Sequence, residues 1–216
     1  MKIRIITFLC FLISINLSTA QTKENIKKDG VNNNLTRSDT GMYNGTTSEK
    51  AQKHFDKAEE YSNAEDLENA EKLYLKAIKA DPNFVEAYDN VGVVYRRLGE
   101  YDKAIEYYKK SIELYPQGQM AHQNLAVVYG IQKNYEGAIN EYKEILKYAP
   151  DDAEGFFGLA NSYMMISDFD NALTNAKKAL EIYKETESHH LGDGYYMIGL
   201  ILYYKGDKGV IGFCPP

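Results

Sequence analysis

From about residue 51 onward, apolar residues recur with the spacing of amphipathic helices, in pairs of runs joined by short polar turns. One pair covers Val85 to Leu98 and Tyr101 to Leu114, with the turn between them. Pro116 follows the second run. Because proline lacks the amide hydrogen that a helix interior uses, it indicates the end of that helix. The pattern therefore predicts an all-α chain whose structural unit is an antiparallel helix pair.

The helix pairs repeat with a 34-residue period. Three sets of identical residues show this period: Pro82, Pro116 and Pro150; Tyr61, Tyr95, Tyr129 and Tyr163; Ala70, Ala104, Ala138 and Ala172. A fixed period of this length is typical of solenoids, in which each unit packs on its neighbours. We expect a solenoid over residues 49–208, with repeats at 51–84, 85–118, 119–152 and 153–186 and a partial repeat at 192–208.

Small and aromatic residues alternate in fixed slots of the repeat. Small residues belong where two helices touch, and a second set of them lies in the first helices: Ala58, Gly92, Ala126 and Ala160. Large aromatics lie beside the small slots, among them Tyr74, Tyr108 and Tyr142. The chain has 19 tyrosines. We interpret those in the recurrent slots as core packing rather than as an aromatic ligand site.

This pattern resembles the tetratricopeptide repeat family. The second unit carries every residue of the motif: Tyr88, Val91, Gly92, Tyr95, Ala104, Tyr108 and Pro116. The fourth unit has Lys184 in place of the last proline, so its second helix is expected to extend toward His189. The resemblance implies a right-handed superhelical solenoid of antiparallel helix pairs. It also implies a scaffold rather than a particular reaction, since members of the family share a fold and not a chemistry.

In this family the first helices line a concave groove. The resemblance implies that an extended peptide or a partner helix binds there, at Asn90, Val93, Arg97, Asn124, Val127, Ile131, Phe157, Asn161 and Met164. Asn90 and Asn124 lie one repeat apart, and an asparagine side chain can bond both the N–H and the C=O of an extended peptide. Simple packing in that slot is the alternative. Adjacent arginines occur in one unit only, which argues against a clamp for a terminal carboxylate.

No catalytic or metal-binding constellation emerges from the four histidines. His54 and His122 occupy a slot that holds an aromatic ring in other units, which indicates packing. His189 and His190 are adjacent, and neighbouring residues of a helix point about 100° apart, so they rarely share one metal. Glycine-rich phosphate loops and nucleophile motifs are absent from the sequence. We therefore expect no enzyme activity, no cofactor and no metal, with an enzyme of unrecognised type as an alternative.

The first twenty residues have the pattern of a secretory signal peptide. Lys2 and Arg4 precede an apolar run, and small residues stand at Ser18 and Ala20. The alternative, an uncleaved anchor, would need roughly 20 apolar residues, and this run is shorter. Residues 21–48 are rich in Asn, Thr, Lys and Gly and predict a disordered linker. The predicted location is therefore outside the cytoplasm: periplasmic, cell-envelope or secreted.

Charge and cysteine content narrow the range of partners. With 25 Lys and Arg against 31 Asp and Glu, the net charge is -6. Nucleic acid and anionic membrane surfaces attract basic proteins, so neither is an expected partner. Removal of residues 1–20 would leave Cys214 as the single cysteine, so packing rather than an internal disulfide must stabilise the fold. The expected partner is a protein or a peptide, without a stable membrane span after cleavage.

The C-terminal end raises the question of what completes the last repeat. The pattern predicts a fifth first helix that begins at Gly194 and packs on the fourth unit through Tyr195, Ile198, Gly199 and Leu202. An exposed apolar patch is then expected at Met197, Leu200, Ile201 and Tyr204. The tail 209–216 contains two glycines and two prolines and is too short to form a 14-residue helix over them. Self-association through this helix is one expected consequence, and an intermolecular disulfide of Cys214 is another.

The leading functional hypothesis is a non-enzymatic protein-interaction scaffold. The alternative is an extracytoplasmic sensor segment, or a truncated fragment, of a longer signalling protein that contains the same repeats.

Overall fold

The computed structural model describes residues 45–206, and every regular element in that part of the chain is an α-helix. The predicted signal peptide, residues 21–44 of the predicted linker and the tail with Cys214 lie outside the described residues. The helices are α1 Glu49–Asn63, α2 Leu67–Ala80, α3 Val85–Leu98, α4 Tyr101–Leu114, α5 Gln119–Ile131, α6 Tyr135–Tyr148, α7 Ala153–Met165, α8 Phe169–Glu185 and α9 Leu191–Lys205.

Consecutive helices form four antiparallel pairs, and α9 begins a fifth unit. Each second helix packs on its own first helix and on the first helix of the next unit. This arrangement confirms the predicted solenoid of helix pairs. The bounds of α3 and α4 are those that the sequence predicts. None of the helices between Glu49 and Lys205 is long and apolar enough to cross a membrane.

The fourth unit departs from the others as its sequence predicts. Its second helix, α8, has 17 residues, whereas α2, α4 and α6 have 14 each. Without a proline after the last turn, the helix continues to Glu185, and the chain then reverses through Glu187 at a φ of 49°. The helix α9 begins at Leu191, three residues before the predicted start.

The turn inside each pair has the same backbone geometry in all units. One residue adopts a left-handed conformation with φ between 62° and 77°, at Glu65, Gly99, Lys133 and Ser167. In three units the next side chain then caps the second helix by accepting an N–H hydrogen bond, at Asp66, Asn134 and Asp168. These positions recur in step with the repeat, but only one of the four left-handed residues is glycine, so no single residue type revealed them.

The core consists of the small slots and the aromatic rings that fill the space beside them. All eight small-slot residues of the four complete units are buried. A Cβ atom on Gly92 would overlap the ring of Tyr108, because that ring lies directly against the glycine backbone. Tyr74 and Tyr142 are buried in the equivalent places. The interpretation of these tyrosines as core packing is confirmed.

Candidate functional site

Each first helix buries one side and leaves the opposite side partly exposed to solvent. In α3, Val91 and Val94 are fully buried, whereas Val93 is half-buried and Arg97 is exposed. The first helices α3 and α5 contact each other directly, as do α7 and α9, so their exposed sides follow one another along the array. We call this surface the groove face. It consists of the accessible residues among the second, fifth, sixth, ninth, twelfth and thirteenth positions of each repeat, counted from residues 51, 85, 119, 153 and 192.

The structure places the sequence-predicted site residues on the groove face. Eight of them are half-buried, with part of each side chain accessible: Asn90, Val93, Asn124, Val127, Ile131, Phe157, Asn161 and Met164. The ninth, Arg97, is exposed. Their role in binding stays a prediction, but their partial exposure is what a contact surface requires.

The two equivalent asparagines differ in their hydrogen bonds. The Nδ2 of Asn90 donates to the carbonyl oxygen of Glu86 in the same helix, at 2.9 Å. The side chain of Asn124 makes no hydrogen bond to another described residue. In the fourth unit the slot holds Gly158. A ladder that reads a peptide backbone would therefore consist of two asparagines, one of which has already used a donor within its own helix.

Arg97 has a structural partner in the preceding unit. Its guanidinium donates to the carbonyl oxygen and the hydroxyl of Ser62, at 3.3 and 3.2 Å, and pairs with Glu65. These contacts join the end of α3 to the turn after α1. Arg97 therefore links the first and second units, a role that the sequence did not reveal because the partners belong to the preceding repeat.

Arg96, which precedes Arg97 in α3, lies close to the buried hydroxyl of Tyr108. Burial raises the pKa of the Tyr108 hydroxyl well above its ordinary range, and the nearby Arg96 acts in the opposite direction. Asp89, which is buried, lies near enough to raise this pKa further. The second unit thus places a guanidinium and a carboxylate near one buried hydroxyl.

Apolar side chains dominate the groove face from the third unit onward. Besides the predicted residues, it exposes Met120 on α5, Met165 on α7, and Tyr196, Tyr203 and Tyr204 on α9. None of these five residues is among the nine predicted site residues. The 34-residue period would have found Met120, but the longer α8 shifts the fifth unit out of phase. The first two units, by contrast, carry Glu59, Asn63 and Arg97 on this face.

The predicted orientation of α9 is wrong in part. Met197 and Ile201, expected in an exposed patch, are buried at 5% and 0% exposure. Ile201 occupies the slot of Val94 and Val128, which are also fully buried. Tyr195, Gly199 and Leu202, expected to be buried against the fourth unit, are only half-buried, while Ile198 is buried as expected. Leu200 is half-buried and Tyr204 is exposed.

His122 is buried between two hydrogen-bond acceptors. Its Nδ1 lies 2.7 Å from a carboxylate oxygen of Glu141, and its Nε2 lies 2.9 Å from the carbonyl oxygen of Pro116. Both ring nitrogens can donate only in the protonated imidazolium. Burial alone lowers the pKa of His122, but the bonds to Glu141 and Pro116 outweigh it and raise the pKa above its ordinary value of 6.5, with Glu144 adding to the effect.

We expect this ion pair to make stability pH-dependent. Because the pKa of His122 is higher in the folded chain than in the unfolded chain, the stabilisation is complete below about pH 6.5 and is lost as the pH rises through the folded pKa. His122→Phe, which places in this slot the residue found at Phe156, should remove that dependence. Urea unfolding between pH 5.5 and 8.5 measures it. A stability difference between the two proteins that does not shrink with rising pH would contradict the assignment, and His54→Phe is the control.

The adjacent histidines His189 and His190 contact each other and one carboxylate. His190 Nδ1 lies 3.0 Å from a carboxylate oxygen of Asp193, and its ring packs against the ring of His189. Residues 45–206 contain no group of three or more His, Cys, Asp or Glu side chains that could hold a metal ion.

The fold defines a helical-repeat solenoid with a partly apolar, partly exposed face along its first helices. Models of the tetratricopeptide repeat match residues 49–84, 85–117 and 125–185. Together they cover more than half of the chain, which belongs to the tetratricopeptide repeat family. No curated protein matches the sequence.

Solved structures share the fold at low sequence identity. A MamA structure from Desulfovibrio magneticus RS-1 has 20% identity and a TM-score of 0.69, and the match covers 78% of this chain and 93% of that one. Another MamA crystal structure has 23% identity and a TM-score of 0.67 over 76% of this chain and 88% of that one. YrrB, described as a tetratricopeptide repeat protein with an unusual peptide-binding site, has 20% identity and a TM-score of 0.62 over 77% and 84%.

Proposed function

We propose that this protein is a non-enzymatic scaffold whose groove face binds a segment of another protein. The observation that supports the proposal most strongly is the apolar groove face of the third to fifth units, with Met120, Met165 and Tyr196 exposed. Exposed apolar side chains that form a continuous surface are typical of protein-binding sites. Methionine and tyrosine are also the residue types enriched at such interfaces.

The side-chain geometry favours a ligand that is recognised through its apolar residues. One of the two asparagines already donates within its own helix, so hydrogen bonding to a peptide backbone would rest mainly on Asn124. Flexible methionines adapt to different apolar partners. Either an extended peptide or a partner helix would satisfy this surface, provided that its apolar side chains contact the third to fifth units. The peptide-binding site that names YrrB lends support, since the two chains share a fold.

We also propose that the protein acts outside the cytoplasm. Support comes from the signal-peptide pattern of residues 1–20 alone. We therefore expect the partner to be an exported protein or peptide. A search for it should start from the exported fraction of the cell.

Two substitutions, at residues of nearly equal solvent exposure, test whether the groove face binds a peptide. Met165 on α7 and Leu114 at the end of α4 are 38% and 39% exposed, but only Met165 lies on the groove face. A peptide selected from a random display library against the purified protein serves as the probe. We expect Met165→Glu to weaken its binding at least tenfold, about 1.4 kcal/mol, because a charge at the contact must lose its hydration.

Leu114→Glu should leave the affinity within twofold of the wild-type value. Isothermal titration calorimetry gives both affinities, and circular dichroism checks that the variants stay folded. An unchanged affinity of Met165→Glu, or an equal loss in Leu114→Glu, would contradict binding at the groove face.

A further inference from the structure

Within residues 45–206, no second helix of its own unit packs on α9, so the side that such a helix covers in a complete unit is called here the open side. In the four complete units the small slot of the first helix is covered by that second helix, and Ala58, Gly92, Ala126 and Ala160 are all buried. Gly199 occupies this slot in α9 and is partly exposed. Among the described helices, α9 packs on α8 and more lightly on α7.

The chain leaves α9 as it leaves a complete first helix. Gly206 follows the helix with a left-handed φ of 87°, and Gly99 follows α3 with a φ of 77°. Their positions in the repeat are equivalent. The first half of the fifth unit is therefore built to the same plan as the others, including the residue at which the chain reverses.

The residues on the open side are spaced for contact with another helix. Gly192, Gly199 and Gly206 are seven residues apart, as are Tyr196 and Tyr203 beside them. Seven residues make two helical turns, about 10.5 Å. Helices that pack side by side repeat their contacts at this interval, whereas same-side residues of an extended peptide recur about every two residues. The spacing thus favours a helix.

Two further observations mark this side as a contact surface. Tyr196 and Tyr203 are 61% and 73% exposed, the most exposed large apolar side chains in the described part of the chain. A Cβ atom on Gly192 would have no neighbour within 4 Å, so there is room for a close approach. The opposite end of the solenoid is different, since α1 exposes Lys53, Lys57 and Glu60 there. A polar terminal side is what an uncovered solenoid end needs, and α9 lacks it.

We propose that the open side of α9 binds an amphipathic helix of another protein, which takes the place of the second helix of the fifth unit. The complete units show the chemistry of such a partner. In α4, the buried residues are Ala104, Tyr108 and Ser111, and the Tyr108 ring lies against Gly92. The partner helix should likewise carry a small residue and, four positions later, a large aromatic ring, with charged residues on its outer side. Tyr196 and Tyr203 belong both to this surface and to the α9 end of the groove face. None of the nine predicted groove residues lies on α9, so the inference does not depend on peptide binding at those nine residues.

A peptide from this chain is a suitable probe. The segment 100–115 contains the whole of α4, with Ala104 and Tyr108, and can be made with blocked termini and a fluorophore. We expect saturable binding to the purified protein by fluorescence anisotropy. Tyr108→Ala in the peptide should weaken binding at least tenfold, because the ring that fills the space beside the small slot is gone.

Two glycine substitutions in the protein locate the site. Gly199→Leu should weaken peptide binding at least tenfold, since the added side chain blocks the close approach of a helix. Gly130→Leu is the matched control. It changes a glycine of α5 whose surroundings are open, and it lies on the groove face. The affinity of the Gly130→Leu protein for the peptide should stay within twofold of the wild-type value. Circular dichroism confirms that both variants are folded.

Several outcomes would overturn the proposal. If neither the protein nor a form ending at Gly206 binds the peptide, the side accepts no such helix. If only the form ending at Gly206 binds, the tail 207–216 of the same chain covers the side. A dimer seen by light scattering and lost in Gly199→Leu would assign the surface to a second copy. Loss of binding in Gly130→Leu but not in Gly199→Leu would assign the peptide to the groove face.

Discussion

Replacing Tyr108 by alanine should lower the free energy of unfolding by about 3–5 kcal/mol. The side chain has no exposed surface, and its ring fills the space against Gly92. Removing it leaves a cavity that neighbouring helices cannot close without breaking the stacking of the second unit on the first and third. The substitution would also remove the hydroxyl with which the buried Asp89 and the half-buried Arg96 interact electrostatically.

The control for this experiment is Tyr148→Ala. It removes the same side chain from the end of α6, where Tyr148 is 53% exposed. We expect a change within about 0.5 kcal/mol, as for most surface substitutions. Urea unfolding followed by circular dichroism gives both values, and the slope against urea concentration shows whether the array still unfolds as one unit. A loss below about 1 kcal/mol for Tyr108→Ala would mean that the ring is not a principal core residue.

Gly92→Leu should destabilise the protein by about 2–3 kcal/mol, because a side chain must enter a space that the Tyr108 ring already occupies. Even the first added atom would overlap that ring. The ring is itself fully buried, so it cannot turn out into solvent without losing its packing. The overlap therefore outweighs the gain of roughly 1 kcal/mol that comes from removing a glycine from a helix.

The same substitution at Gly130 should have the opposite sign. A Cβ atom there would have no neighbour within 4 Å, so only the helix-propensity gain remains, about 0.5–1 kcal/mol of added stability. Thermal unfolding of the two variants side by side gives the comparison. If Gly92→Leu raises the thermal unfolding midpoint as Gly130→Leu does, the assignment of a close helix contact at Gly92 is wrong.

The helix pairs and their contacts were largely predictable because the repeat supplies the same neighbours to every unit. Ala104 and Tyr108 recur at one spacing, and a residue that touches the same partners in each unit must keep the same size. Helix ends were predictable where a local residue sets them, as Pro116 does after α4. The extension of α8 followed from Lys184 in place of proline. All of these depend on interactions within about one repeat of sequence.

The candidate site was predictable only as a face of the first helices. Periodicity places Asn90 and Asn124 on that face, but not the bond by which Asn90 donates to Glu86. The contact of Arg97 with the turn of the preceding unit depends on how two units stack. Tyr196 and Tyr203 were missed because the longer α8 shifts the fifth unit out of the period that identified the other positions.

By itself, the sequence of this protein determined the period, the all-helical architecture, the small and aromatic slots and the family, because each of these follows from residues that recur at fixed spacing. Only the tertiary structure decided which side of α9 is buried. Met197 and Ile201 face the fourth unit, and Gly199 is left half-open, because packing on α8 rather than the hydrophobicity of the helix sets its rotation. The helix is apolar on nearly every side, and such a helix carries no local signal of orientation. The pairing of His122 with Glu141 likewise required the folded unit, since the two side chains lie on different helices and meet only after α5 and α6 pack.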